Sequence, residues 1–512
     1  MLQTSVREHP SRTAVIDASN RWTYRELDTR IEVLAAGLAE LGISAGERVM
    51  VQIPNRVEFV QTIFALFRIG ALPVFCLPAH RSAELTALGR ASEAVAIITA
   101  HIFERFDHAE LALSVAAEVD TIGHVIGIPE ANCVLPNDVV DFTALRGAPR
   151  EWPEVDPGAV AFLQLSGGST GIPKLIPRTH DDYLYSVIAS NRVCGVTSST
   201  VYMATLPVAH NFPMSSPGIL GAFAAGGTVA LTSSPAPSVA FDMIEQASVT
   251  MTGMVPPLAR LWTETAEKND HGFDISTLET VLVGGARCPD ELASRIGPAL
   301  GVQLQQVFGM AEGLVCYTRL DDPAEIVTTT QGRPMSEYDQ VRVVDDEGND
   351  VADGEEGALL TQGPYTIRGY YNNPEANARS FIDGWYRTGD IVKRDAAGNI
   401  TVCGRDVDRI NRGGEKVSAE EVEEQLLAHP AVRDAVVVAI PDEYLGERTC
   451  AFVLVAEGVE PPRGAAIRKF VRERGLAAWK IPDAVTVLDA FPETGVGKTS
   501  RKELRKLLTD RG

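Results

Sequence analysis

Residues 163–180 read LQLSGGSTGIPKLIPRTH. The apolar run AVAFLQL (159–165) passes straight into six small residues, a proline and a lysine, and no packed core needs such a loop. The run predicts a buried strand. The glycines after it let the backbone approach a compact anion, with consecutive N–H groups, serine and threonine hydroxyls and Lys174 on offer. A plain surface loop is the alternative. The loop is not a Walker P-loop, because no Gly-Lys-Ser/Thr follows Gly171. Gly497-Lys498-Thr499 near the end has Pro492 where that spacing needs glycine.

Outward from the loop, helix and strand alternate. TYRELDTRIEVLAAGLAELGI (23–43) has apolar residues at helical spacing behind a Thr cap, and RVMVQIPN (48–55) follows as a short buried strand. EFVQTIFALFRIG (58–70) then ALPVFCLP (71–78), and MIEQASVT (243–250) then MTGMVPP (251–257), repeat that rhythm, which implies α/β layers on largely parallel sheets. YDQVRVVDDEGNDVADGEEGALLTQG (338–363) is instead β-rich, with D-E-G-N and D-G turns. Beyond a break at Cys403 to Val407 the sequence predicts a strand pair, a helix capped by Ser418 with Glu421 three residues on, and a further strand. The expected fold is α/β: a large N-terminal domain (1–404) of layered α/β subdomains plus the β-rich segment, then a small mobile α+β C-terminal domain (405–512).

Composition excludes several functions. The 512 residues carry a formal net charge of −22, which repels nucleic acid and anionic membranes, and no basic patch offsets it. Seven cysteines stand singly, at 76, 133, 194, 288, 316, 403 and 450, without metal-ligand spacing, which reads as reduced, cytoplasmic chemistry. The N-terminus has no apolar signal core, and GILGAFAAGGTVAL (218–231) is too short and glycine-rich to span a bilayer. No nucleic-acid or membrane partner is expected.

Five segments in fixed order, SGGSTGIPK (166–174), FGMAEG (308–313), YRTGD (386–390), GRDVDRINRGGEK (404–416) and ETGVGKTSRKEL (493–504), resemble the core motifs of the adenylate-forming superfamily. LPVAHNFPMSSPG (206–218) and GMAEGLVCYTRLDD (309–322) are most similar to its stand-alone aryl-acid-activating branch, which serves siderophore and related antibiotic biosynthesis. The resemblance implies that a carboxylate is joined to the α-phosphate of ATP with release of pyrophosphate, and that the acyl group then passes to a thiol. Charge building on the phosphates needs preorganised N–H donors, cations and a metal.

Carried onto this chain, the resemblance gives Ser166, Gly167, Gly168, Ser169, Thr170, Gly171 and Lys174 to the phosphates and Glu312 to Mg²⁺. Gly284, Gly285 and Ala286, with Gly309, Met310 and Ala311, line the nucleotide site. Asp390, with Arg405 nearby, takes the ribose hydroxyls, and Lys498 reaches the carboxylate and α-phosphate as a mobile catalytic cation. Plain roles stay open: Glu312 as a helix cap, Asp390 closing a turn, Lys498 as a solvated charge, His210 as a structural histidine. Two departures stand out. Leu175 follows PK where many members have Gly, and Val407 occupies the hinge where Asp or Lys is usual, which bears on the second half-reaction.

In amino-acid-activating relatives an Asp meets the substrate's ammonium, and here Asn211 holds that position. A neutral amide leaves a cation unpaired but hydrogen-bonds an ortho hydroxyl, so an aryl acid fits better than an amino acid. His210 meets the carboxylate, Phe212, Gly285 and Val315 contact the ring, and Ser216 leaves polar room at the 3-position. The expected acid is 2,3-dihydroxybenzoate, with 3-hydroxypicolinate or salicylate as alternatives. Because the chain ends shortly after Lys498, the acceptor is expected in trans: the phosphopantetheine arm of an aryl carrier protein or, alternatively, free coenzyme A.

Overall fold

The computed structural model describes residues 1–131, 133–152, 154–166, 174–268, 272–406, 410–412, 415–442, 445–474, 478–494 and 499–509. The expected helix forms as Tyr24–Glu40, closed at its start by a reciprocal cap in which the Thr23 hydroxyl accepts the Glu26 N–H and the Glu26 carboxylate accepts the Thr23 N–H. The other expected pairs appear as helix Val57–Ile69 before strand Leu72–Phe75, and helix Pro237–Ala247 before strand Met251–Met254.

Two large sheets dominate. One runs, in spatial order, Leu175–Thr179, Val160–Leu165, Leu72–Phe75, Arg48–Gln52, Ala96–Ala100, His124–Ile128 and Val140–Asp141, parallel except at its first pair. The other is centred on Gln303–Gly309, Thr280–Gly284, Met251–Met254, Val201–Ala204, Thr228–Leu231 and Thr13–Ile16, all parallel, with antiparallel strands at both edges. Both faces of the first sheet are covered, which is why its strands read as continuous apolar runs. Val49 and Val51 point into the core shared with the second sheet, while Met50 points into a separate core under helices Ser82–Ser92 and His108–Glu118.

The β-rich segment is an antiparallel sheet of Gln340–Val344, Glu356–Gln362, Trp385–Arg394 and Phe381–Ile382, with Ile400–Arg405 pairing the long strand. The last part carries strands Ile410–Arg412, Glu415–Val417, Val432–Asp442, Gly446–Val455 and Ala484–Leu488 under helices Ala419–Leu427 and Gly464–Glu473, around their own apolar core. Ser418 caps the first of these helices as expected, accepting the Glu421 N–H at 3.3 Å. The Glu421 carboxylate is turned instead to Lys480 Nζ at 2.6 Å. Among the described residues no helix is long and apolar enough to cross a membrane, and GILGAFAAGGTVAL splits into helix Gly218–Ala225 and strand Thr228–Leu231.

Candidate active site

The opening loop leaves strand Val160–Leu165, and the chain continues from Leu175 as the antiparallel strand Leu175–Thr179. Its neck is closed by two bonds: Ser166 N–H donates to the Lys174 carbonyl and Lys174 N–H to the Ser166 hydroxyl, both at 3.0 Å. Gly167, Gly168, Ser169, Thr170 and Gly171 lie outside the described residues, as do Val407 and Lys498.

Below the neck, the Lys174 ammonium lies 4.2 Å over the Tyr370 ring, and the Tyr370 hydroxyl donates to Glu312 Oε1 at 3.0 Å. Burial pulls the Lys174 pKa down and the Glu312 charge opposes it, so a cation and an anion share one partly dry corner. Glu312 caps no helix; its residue sits in the turn after strand Gln303–Gly309 and is buried. Arg178, buried two residues beyond Ile176, fixes this corner. Its guanidinium donates from Nε to Asp182 at 2.9 Å, from Nη1 to the Ala311 carbonyl at 2.6 Å and from Nη2 to the Tyr365 carbonyl at 3.2 Å.

Asp390 closes no turn either. It lies inside strand Trp385–Arg394, buried, directly across the ladder from Arg405, whose Nε donates to Oδ1 at 3.1 Å. Ser166, His210, Gly285, Ala286, Gly309, Met310, Asp390 and Arg405 all line one cleft of about 890 Å³. Thr494, Thr499 and Arg501 line it from the C-terminal side. Across it Arg287 reaches Glu424 at 3.3 Å and Asp290 at 3.1 Å, tying the larger part to helix Ala419–Leu427.

His210 does serve structurally, as the cap of helix Asn211–Ser215: its Nδ1 accepts the Phe212 N–H at 3.3 Å. In the neutral ring that bond puts the proton on Nε2. Asn211, Phe212, Ser216, Gly284 and Val315 stand behind the lining. Strand-end glycines make room there: a Cβ at Gly284 would stand 2.7 Å from the Val307 carbonyl oxygen and 3.3 Å from Phe212 Cζ, and Gly285 has φ +83°. Val315 Cγ1 lies 3.1 Å from where a Gly309 Cβ would be. Ser216 is buried, near the Tyr317 hydroxyl, which bonds Ser190 Oγ at 2.9 Å.

The sequence reading missed Arg178, Tyr183, Gln164, Tyr370 and Arg287. Arg178 was visible four residues after Lys174, but nothing local reveals that its acceptors come from residues 311 and 365. Among the described residues no cluster of three or more His, Cys, Asp or Glu side chains could hold a metal, and every cysteine is free.

A family model described as AMP-binding enzyme matches residues 2–371, and one described as AMP-binding enzyme C-terminal domain matches residues 421–498. The chain is 53% identical to a 2,3-dihydroxybenzoate-AMP ligase of Bacillus subtilis (strain 168), over all of this chain and 93% of the relative. It is 49% identical to a vibriobactin-specific 2,3-dihydroxybenzoate-AMP ligase of Vibrio cholerae, covering 99% and 92% of the two chains. The apo structure of Mycobacterium smegmatis MbtA superposes with a TM-score of 0.75 at 45% identity, covering 99% of this chain and 93% of that one. The chain belongs to the AMP-binding, adenylate-forming enzyme family, in its aryl-acid-activating branch.

Proposed function

We propose that the protein activates 2,3-dihydroxybenzoate with ATP to the aryl adenylate, releasing pyrophosphate, and passes the aryl group to the phosphopantetheine thiol of a separate aryl carrier protein. The observation that carries this reading is the single cleft shared by Ser166, His210, Gly285, Asp390 and Arg405, backed by an amide, Asn211, where a carboxylate would serve an amino acid. The names of the Bacillus and Vibrio relatives support the choice of acid.

In this reading 1–404 binds the nucleotide and the acid, 405–512 supplies Lys498, and Val407 is the hinge between them. His210 Nε2–H donates to the acid's carboxylate and holds it toward the α-phosphate. Phe212 and Val315 flank the ring, and Asn211 and Ser216 meet the 2- and 3-hydroxyls. Asp390, held by Arg405, accepts from the ribose hydroxyls. Gly284, Gly285, Ala286, Met310 and Ala311 border the adenine, and Ser166, Lys174 and the loop between them take the phosphates. The donor set fits Mg²⁺ as one carboxylate, Glu312, oriented by Tyr370, with phosphate oxygens to complete the shell. Bound there, Mg²⁺ would neutralise charge on the phosphates.

Pyrophosphate exchange tests the substrate class. Benzoate should be activated less well than salicylate or 2,3-dihydroxybenzoate, because it leaves the Asn211 amide unpaired at about 1–3 kcal/mol. Asn211→Asp should weaken every aryl acid, by placing a second carboxylate against the substrate in low dielectric. Ser216→Ala should cost 2,3-dihydroxybenzoate more than salicylate. Benzoate matching the hydroxylated acids in kcat/KM would remove the Asn211 argument, and a preference for 3-hydroxypicolinate would change the acid while keeping the chemistry.

A further inference from the structure

Behind the acid pocket a backbone amide orients the first of a group of polar side chains that ends at Asn211. Leu165 N–H, which can only donate, bonds Gln164 Oε1 at 3.1 Å. That leaves the Gln164 Nε2 side. It is buried, in a residue 2% exposed that lines the cleft, and it has no hydrogen-bond partner. Ser215 and Gln164 are polar neighbours of the Tyr183 hydroxyl and draw its pKa down against the larger effect of burial. Tyr183 O–H in turn donates to Asn211 Oδ1 at 2.8 Å. Burial pushes the Tyr183 phenol up to about 12, so it keeps its proton. The ring is held edge-on to Phe162 with centroids 4.6 Å apart, under the Arg178 guanidinium at 4.8 Å.

We infer that Gln164 and Tyr183 are specificity-determining positioning residues: they fix the polarity of the Asn211 amide so that its N–H side faces the acid, and thereby select acids whose ortho group accepts a hydrogen bond. The inference rests on the proposed role of Asn211 in holding the acid. With Oδ1 turned to Tyr183, Asn211 presents Nδ2–H to the substrate. A phenolic ortho oxygen accepts that bond while its own proton turns to the neighbouring carboxylate. An ortho amino group has its lone pair drawn into the ring and presents N–H against N–H, leaving two donors facing each other in a partly dry pocket. The relay therefore rejects 2-aminobenzoate in favour of 2-hydroxybenzoate, two acids of nearly the same shape. Neither Gln164 nor Tyr183 needs to touch the substrate, since the polarity is passed through Asn211.

The test is kcat/KM by pyrophosphate exchange for 2-hydroxybenzoate, 2-aminobenzoate and benzoate in the full-length protein and in Tyr183→Phe, Gln164→Met and Asn211→Ala. Tyr183→Phe keeps the ring against Phe162 but frees the amide to turn. Gln164→Met keeps the length of the side chain and removes its N–H. Each should lower the 2-hydroxy to 2-amino ratio about tenfold, through gain of the amino acid analogue as well as loss of the hydroxy acid. A merely structural defect would depress all three acids together and leave the ratio alone. If Tyr183→Phe fails to fold, Gln164→Met decides. A ratio unchanged in the folded variants, while Asn211→Ala still erases the preference for 2-hydroxybenzoate over benzoate, overturns the relay and spares the Asn211 reading. Asn211→Ala without effect on that preference overturns both.

Discussion

Replacing Arg178 by Met should remove about 3–5 kcal/mol of stability, among the largest losses available from one side chain outside the apolar core. The guanidinium is buried, and its three donor directions are taken by Asp182, the Ala311 carbonyl and the Tyr365 carbonyl. Met fills a comparable volume but leaves two carbonyls without those donors and the Asp182 carboxylate, which is mostly buried, without its cation. Asp182 retains the Thr179 N–H at 3.1 Å, which sets the loss below that of an isolated buried charge. Arg178→Lys should recover only part of it, since one ammonium does not reproduce a planar fork aimed at three separated acceptors. Because Ala311 adjoins Glu312, the folded fraction of either variant should also bind ATP more weakly. Denaturant unfolding of the wild type and both variants measures this; a loss under about 1 kcal/mol for Arg178→Met would show that the three bonds are replaced by water.

The second large effect is expected at Lys498. Lys498→Ala should slow adenylate formation by about 10²–10³ while leaving ATP binding and the unfolding midpoint near those of wild type. The reason is differential: a cation brought to the reacting carboxylate and α-phosphate interacts most strongly where charge accumulates in the transition state, and little with the ground state. Lys498 lies outside the described residues, but Thr494 and Thr499 on either side of its segment line the same cleft as His210 and Asp390. Single-turnover formation of the adenylate, with ATP affinity measured separately, checks it. A decrease of only a few-fold would remove Lys498 from the chemistry, and an equal loss of ATP affinity would make it a ground-state contact.

Much of the molecule was legible in the chain because its signals are local. Thr23 with Glu26, the apolar spacing of 24–40, and the apolar run AVAFLQL each depend on residues a few positions apart, so the helix and the strand could be read directly, and the small residues that follow raised the expectation of a phosphate loop. The order of the five motifs carried the family, and Asn211 raised the expectation of an aryl acid. What the sequence could not decide was everything set by contact between distant segments. Asp390 reads as a turn residue beside glycine, and only the ladder with Arg405 makes it a buried, paired carboxylate. Glu312 is oriented by Tyr370, 58 residues away, and Arg178 by carbonyls at 311 and 365. The direction of the Asn211 amide is the clearest case. An asparagine is symmetric in outline and opposite in polarity at its two ends, so the residue type fixes that a hydrogen bond forms, while Tyr183, brought to it on another helix, takes the Oδ1 end.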